Sequence, residues 1–209
     1  MLLPTLEQVV WRLALILPAL TFHEFAHAYA AERMGDPTAR MMGRLTLNPI
    51  AHIDPFGTIV APILFHFGWA KSVPVNPRNF RDPARGSLIC SAAGPGSNLL
   101  LALIVGLVVH VLSAFAPAEA LAPGSVFRTY FFGFAAINVM LAIFNLIPLG
   151  PLDGHHIVEA LLPPPQLVKY RQFNQYGFFI VLVIVILTPI GNILIFDPAV
   201  AAAHLLTGF

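Results

Sequence analysis

The first long apolar stretch of the chain carries three ionisable side chains, and this combination limits what the chain can fold into. His23, Glu24 and His27 directly follow residues 13–22, a run in which only Thr21 is polar. With its flanks the run is long enough to enter a bilayer, where ionisable groups are costly and by default mark a functional site. We therefore expect a membrane-embedded helix that carries a polar site.

Composition makes lipid the main solvent of this chain. Of its 209 residues, 57% are hydrophobic and 10% are charged, whereas soluble domains carry about 25% charged residues. The length predicts a single membrane-embedded domain over residues 1–209, without room for an appended soluble module. The net charge of +1 gives no indication of a nucleic-acid partner, and the single cysteine, Cys90, excludes an internal disulfide and a cysteine-based metal site.

Four apolar segments reach the length of about 20 residues that a helix needs to cross a bilayer. They are residues 6–31, 88–115, 130–148 and 173–190. The sequence therefore predicts an all-α polytopic membrane protein with about four full transmembrane helices. Residues 191–209 contain a weaker helical stretch, which could lie on the surface or form a further short span.

Segment 53–70 is also apolar, but prolines and glycines interrupt it. Basic residues concentrate on both sides of it, in residues 32–87, and again in residues 149–172, so the positive-inside rule makes both loops cytoplasmic. A crossing at 53–70 would place parts of the site on opposite faces of the membrane. We therefore expect a re-entrant or shallow segment, followed by a short β-type hairpin around residues 69–77.

The two histidines of the first span have the spacing of metal ligands. His23 and His27 are four residues apart, so in a helix their imidazoles lie on one face, one turn apart. With Glu24 they form the H-E-x-x-H pattern typical of zinc hydrolases, in which the glutamate acts on a water. A catalytic zinc needs three protein ligands and an open position for water, so a third ligand is expected elsewhere in the chain.

Asp153 is the best candidate for the third ligand. It follows an apolar span whose cytoplasmic end matches that of the histidine helix, although an Asp before a Gly could instead cap a helix. His155 and His156 compete with it because they lie in the same turn. His52 is a further candidate, either as a ligand or as a plug that excludes water.

Asparagines predicted at the same depth could bind substrate or an oxyanion. Asn138 and Asn145 are seven residues apart, two helical turns on one face, and Asn98 ends a Gly-Pro-Gly-Ser-Asn motif near the start of the second span. Each could instead form hydrogen bonds between helices. A metal-bound water, Glu24 as general base and such amide donors together predict hydrolysis of a peptide bond.

The order of these motifs resembles the site-2 protease family of intramembrane zinc metalloproteases. The motifs that carry the resemblance are HEFAH at 23–27, GPGSN at 94–98 and NLIPLGPLDG at 145–154. The stretches at 43–55 and 67–71 look like a small bacterial branch of the family. Members of the family commonly carry a PDZ or CBS domain, and no segment of this chain is long enough for one.

The resemblance implies a site with one Zn²⁺ ion per chain, whose ligands and catalytic base are His23, His27, Asp153 and Glu24. It implies that Asn145 and Pro148 shape the site. It further implies a multi-pass protein of the bacterial cell membrane with the active site toward the cytoplasm. Such a protein cleaves transmembrane segments of other membrane proteins in regulated intramembrane proteolysis.

Two other functions fit parts of the pattern. A catalytically idle zinc-binding membrane scaffold would keep the histidines, but a pure metal site does not need Glu24 as a base. A metal transporter would need ionisable residues along a whole path, whereas these are predicted at one depth. The sequence does not predict the natural substrate or the oligomeric state.

Overall fold

The computed structural model describes residues 4–61 and 68–209, which are mainly helical. The α-helices, in chain order, are α1 (Leu6–Met34), α2 (Thr38–Met41), α3 (Pro83–Ser113), α4 (Ala118–Leu121), α5 (Val126–Asn145), α6 (Asp153–Leu161), α7 (Pro164–Asn174), α8 (Gly177–Leu187) and α9 (Asp197–Thr207). Short 3₁₀ turns cover Pro49–His52 and Pro77–Asn79, and π-type turns cover Pro55–Val60 and Asn192–Phe196.

Three helical stretches are long and apolar enough to cross a membrane: Leu6–Met34, Pro83–Ser113 and Ala118–Asn145. They confirm the all-α character of the described residues, and they lie where three of the four spans are predicted. Their ends follow local rules. Thr5 and Gln8 form a capping box at the start of α1, whose end is set by the left-handed conformation of Gly35, at φ +113°.

Small residues let these long helices pack closely. α1 packs on α3, α3 packs on α5, and α9 packs on both α3 and α5. The fully buried side chains of Ala19, Ala135 and Ala203 belong to one apolar cluster between them. Because lipid tails are as apolar as leucine, such close contacts rather than burial from water hold membrane helices together.

α1 and α5 run parallel, and α3 runs antiparallel to both. Trp11 and Tyr130, near the starts of α1 and α5, have ring centroids 6.3 Å apart. His27, in the second half of α1, bonds to the carbonyl of Cys90 in the first half of α3. Asn98, midway along α3, donates to Asn138 in the second half of α5. The second half of α1, the first half of α3 and the second half of α5 therefore lie at one level.

The predicted fourth full span, residues 173–190, is not confirmed. α8 has 11 residues, about half the length that a crossing needs. It ends at Leu187 because Pro189 has no N–H and holds Thr188 in an extended conformation, with φ −130° and ψ 157°.

The tail, residues 191–209, joins the bundle instead. The apolar helical stretch Asn192–Thr207 packs on α3 and α5, where Gly106 meets the backbone of Leu206 closely. Past its end, the ring of Phe209 lies 6.2 Å from that of Phe127, at the start of α5. The last described residues therefore reach the end of the bundle opposite to the site.

Segment 53–70 returns to the level at which it begins. The backbone N–H of Trp69 donates to the carbonyl of Gly57 at 3.0 Å, and the Thr58 hydroxyl donates to the carbonyl of Trp69 at 2.8 Å. This pairing fits a re-entrant or shallow segment, whose residues 62–67 lie outside the described part. The predicted β-type hairpin is not confirmed: the described residues contain no strand, and residues 68–76 form an irregular connection.

Candidate metal centre

The candidate centre lies where α1, α3 and the start of α6 meet. His23 and His27 project from α1, and Asp153 is the first residue of α6. A Cβ on Gly154 would lie 2.3 Å from the carbonyl oxygen of Leu146, so glycine is needed for α6 to begin this close to the end of α5. The turn between the two helices therefore delivers Asp153 to the histidine pair.

Three ligand atoms of these residues converge. The Nε2 atoms of His23 and His27 are 3.0 Å apart. The Oδ2 atom of Asp153 lies 3.2 Å from His23 Nε2 and 3.3 Å from His27 Nε2. His23 and His27 are buried, and Asp153 is largely covered.

A chain of amides fixes the tautomer of His23. Asn138 donates its Nδ2 hydrogen to the carbonyl of Phe134, so its Oδ1 faces Asn98, at 2.8 Å from Asn98 Nδ2. That same Nδ2 also donates to the carbonyl of Ala19. The Oδ1 of Asn98 is therefore an acceptor, and His23 must donate to it from Nδ1 at 2.7 Å. This leaves a lone pair on His23 Nε2.

His27 is fixed in the same way by a backbone group. Its Nδ1 lies 2.8 Å from the carbonyl oxygen of Cys90, to which only an N–H can donate. In a neutral His27 the Nε2 then also presents a lone pair toward Asp153. With both imidazoles neutral, three lone pairs converge here, and a cation among them would remove their mutual repulsion.

Zinc fits this donor set. Two imidazole nitrogens and one carboxylate oxygen are zinc ligands, and three protein ligands leave one position open, as in catalytic sites. Ligand atoms at about 2.0–2.2 Å from a tetrahedral zinc lie about 3.3–3.6 Å from one another, slightly farther apart than the 3.0–3.3 Å found here. The buried Oδ2 of Asp153 has no hydrogen-bond partner in the described part of the chain, as expected of an atom reserved for a metal.

Glu24 shares a cavity with the three candidate ligands. The cavity has a volume of about 330 Å³, and its lining also includes Asn145, His156 and part of residues 72–77. The Glu24 side chain is buried, and its Oε2 accepts a hydrogen bond from the backbone N–H of Val73 at 2.7 Å. A second carboxylate is therefore held in the same cavity as the three candidate ligands.

The three predicted asparagines take different places. Asn145 lines the cavity, and one of its amide hydrogens is used within α5, on the carbonyl of Leu141. Asn98 and Asn138 are fully buried behind the histidines, where they bridge helices as in the alternative reading of these residues. Pro148 lies outside the cavity lining, and its carbonyl accepts a hydrogen bond from Tyr170.

The competing histidines lie apart from the converging atoms. His155 and His156 form a second group with Glu159, whose carboxylate also binds Arg171. Of the two, only His156 lines the cavity. His52 is buried and bonds through Nε2 to the carbonyl of Thr46, away from the cavity lining.

Two backbone groups that support the site carry no sequence signal, whereas one glycine beside the histidines does. The Cys90 carbonyl and the Val73 N–H are groups that almost every residue has. Gly94 is different, because a Cβ there would lie 2.3 Å from His27 Nε2 and 2.6 Å from His23 Cε1. Its position in the Gly-Pro-Gly-Ser-Asn motif was a usable signal, one helical turn before Asn98.

Comparison with known proteins places the chain among peptidases. The model of the family described as Peptidase family M50 matches residues 111–188. YwhC of Bacillus subtilis, provisionally named a zinc metalloprotease, is 45% identical over 178 residues, which cover 85% of this chain and 80% of the relative. Rip2 of Mycolicibacterium smegmatis, with the same provisional name, is 34% identical over 180 residues, which cover 84% of this chain and 66% of the relative. The zinc metalloprotease MJ0392 of Methanocaldococcus jannaschii is 24% identical over 160 residues, or 36% of its own length. No solved structure gives a significant match.

Proposed function

Because the chain belongs to peptidase family M50, the site-2 protease family of zinc metalloproteases, we propose that it cleaves peptide bonds in or near transmembrane segments of other membrane proteins. The chain is an integral membrane protein with three apolar helices long enough to span a bilayer. The proposed reaction is the hydrolytic step of regulated intramembrane proteolysis.

One observation carries the proposal. Two imidazole lone pairs and a buried carboxylate oxygen converge within 3.3 Å, and a second buried carboxylate, that of Glu24, shares their cavity. A pure metal-binding or transport site needs ligands, but it does not need a base beside them. We assign His23, His27 and Asp153 to the metal and Glu24 to the chemistry.

In the proposed mechanism, a bound zinc would polarise the scissile carbonyl and lower the pKa of a water. Glu24 takes a proton from the attacking water and delivers it to the leaving amine. Asn145, whose amide keeps one hydrogen free for the cavity, donates to the substrate backbone or to the developing oxyanion. Asn98 and Asn138 hold His23 in the tautomer that presents Nε2 to the metal.

The substrate must be locally unwound, because the carbonyls of an intact helix are hydrogen-bonded and hidden. Three residues of the irregular connection line the cavity and could pair with an extended substrate backbone: Ser72, Val73 and Val75. We therefore propose a transmembrane protein substrate that enters the cavity from the lipid and unwinds at the level of Glu24.

The test combines metal content with cleavage. Purified wild type should hold one zinc per chain and cleave a synthetic transmembrane peptide in detergent or bilayers. Glu24→Gln should keep the zinc and lose about 10²–10⁴-fold in rate, the usual contribution of a general base. Glu119→Gln, at an exposed site on α4, is the matched control and should cleave normally. Zinc without cleavage in wild type would favour the scaffold, and loss of zinc in Glu24→Gln would make Glu24 a ligand.

We also propose that the cavity faces the cytoplasm of a bacterial cell, since the loops on its side carry most of the basic residues. Cysteines placed singly at Arg40 and Arg78, in a Cys90→Ala background, should be protected from a membrane-impermeant thiol reagent on intact cells. Both should react once the membrane is opened. Labelling of both cysteines on intact cells would reverse the proposed orientation. Labelling of one and not the other would place the two loop positions on opposite sides of the membrane and contradict it.

A further inference from the structure

The carboxylate of Glu24 is tied to a distant part of the chain. Its Oε2 accepts the N–H of Val73 at 2.7 Å, across 49 residues of sequence, and both residues are buried. Val73 lies in the irregular connection between the segment at 53–70 and α3, here called segment 71–76 after its residues.

Segment 71–76 is anchored on both sides of Val73. At its start, Lys71 donates its N–H to the carbonyl of His52 at 2.9 Å, and the guanidinium of Arg44 donates to the carbonyl of Lys71. At its end, Asn76 donates its N–H to Asp36 Oδ2 at 2.7 Å. These contacts fix the register of the segment. The position of the Val73 N–H is therefore determined by the segment's own anchors and not by its bond to Glu24.

The side chain of Val73 adds packing to these anchors. It lies in an apolar cluster with Ala28 of α1 and Ala39 of α2. Ala28 follows His27 directly, so the segment is held against the same turn of α1 that carries the candidate ligands. A shift of the segment would therefore change the position of its N–H relative to the catalytic carboxylate.

A single hydrogen bond to one oxygen orients a carboxylate and leaves its other acceptor positions available. An ionised glutamate accepts through two oxygens, and Val73 uses one site on Oε2. Glutamate has three side-chain torsions, and holding it within about 0.5 Å of its productive place requires such support.

We infer that segment 71–76 is a positioning element for Glu24, in which the Val73 N–H aims the carboxylate and Arg44 and Asp36 act on it through the segment. The inference rests on the proposed function, in which Glu24 is the general base. It assigns positioning roles to Arg44 and Asp36, neither of which lines the cavity that holds Glu24 and the candidate metal ligands.

The sharpest test removes the N–H alone. Val73→Pro deletes the donor and keeps an apolar side chain of similar size, whereas Val73→Ala loses more side chain and keeps the donor. Val73→Pro should retain zinc and KM for a synthetic transmembrane peptide while kcat falls by about 10- to 100-fold. The kcat of Val73→Ala should stay well above that of Val73→Pro.

Arg44 supplies a second arm that does not depend on a proline. Arg44→Met should lower kcat with zinc content unchanged, and Arg44→Lys, which can still donate to the Lys71 carbonyl, should recover part of the loss. A purely structural role would lower the melting temperature of Arg44→Met without this separation of kcat from KM and without rescue by lysine.

Hydrogen exchange gives a readout without activity. Glu24→Ala removes the acceptor of Val73, so the peptide that covers segment 71–76 should exchange about one more amide rapidly. Asp54→Ala, which removes the cap of Pro55–Val60, should leave that peptide unchanged. Equal exchange in wild type and Glu24→Ala would overturn the inference, as would a Val73→Pro variant that cleaves as fast as wild type or faster. If wild type holds zinc but cleaves nothing, the proposed function fails, and the exchange result still decides whether the contact exists.

Discussion

The two walls of the candidate metal centre are built differently. The inner wall is formed by α3 and α5, and its Asn98 and Asn138 are fully buried. Their amides form hydrogen bonds with helix carbonyls, with each other and with His23. The outer wall is segment 71–76, which lines an open cavity and meets the site through one backbone N–H.

The difference separates two demands on the site. Metal ligands need a fixed orientation and tautomer, which buried amides and carbonyls provide. A substrate needs room and free backbone groups, which a packed helix does not offer. Variants of the inner wall should therefore change zinc affinity, and variants of the outer wall should change turnover or stability while leaving zinc in place.

The largest effect is expected at Gly94. A Cβ there would lie 2.3 Å from His27 Nε2, and the side chain of Gly94→Val would displace the imidazole. We expect loss of bound zinc, measured by atomic spectroscopy on purified protein. Gly96→Val is the matched control in the same helix, because a Cβ there would meet no described atom within 4 Å beyond its chain neighbours and the backbone of its own helix. A zinc-replete Gly94→Val would contradict the geometry of the inner wall.

Asp153→Ala should come next. Asp153 supplies the carboxylate oxygen among the three converging atoms, so its removal should lower zinc content sharply. His155→Ala and His156→Ala, in the adjoining turn, should keep the metal. Zinc content in the three purified variants is the measurement, and a site emptied by His155→Ala alone would mean that the third ligand is misassigned.

Asn98→Ala should weaken zinc binding by about 10- to 100-fold, the usual effect of removing a group that orients a histidine ligand. Asn138→Ala should weaken it less, because Asn98 keeps its bond to the Ala19 carbonyl. Competition with a chelator measures both. Ser97→Ala, whose hydroxyl bonds only within its own helix, is the control. Equal losses in Asn98→Ala and Asn138→Ala would show that the two amides act as one unit.

The candidate metal ligands were predictable from sequence, and the outer wall was not. The histidine pair follows from the period of one helix, so His23 and His27 could be placed without tertiary information. Asp153 depended on depth, ligand type and a family resemblance, because a turn rather than a helical period delivers it. The hydrogen bond from the Val73 N–H to Glu24 could not be predicted from any pattern of side chains.

The fold shows the same limit. Helices α1, α3 and α5 were predicted because their apolar stretches are long. Residues 173–190 looked the same by composition, but Pro189 ends α8 early, and the later stretch Asn192–Thr207 packs on the bundle instead. The length of an apolar stretch predicts that it enters lipid. It does not predict that α9, with its buried alanines, packs on α3 and α5.

The smallest effect is expected at Asp36, an anchor of the outer wall. Burial raises the pKa of this carboxyl, but hydrogen bonds from Thr38, Asn76 and Asn79 outweigh it and hold the pKa below the ordinary 3.8. Since the folded pKa is the lower one, Asp36 contributes stability that is full above pH 3.8 and is lost as the pH falls through the folded value.

Asp36→Asn should therefore be less stable by about 1–3 kcal/mol at neutral pH, because its amide must turn a donor either toward the N–H of Asn76 or toward the donors of Thr38 and Asn79. Its stability should also depend less on pH below about 4. Thermal unfolding in detergent at several pH values measures both, with Asp197→Asn at an exposed position as the control. Zinc content should be unchanged, since the hydrogen bonds of Asp36 go to Thr38, Asn76 and Asn79 and to none of the candidate ligands. A loss of zinc in Asp36→Asn would show that the two walls are coupled, and the separation of metal binding from substrate access would then fail.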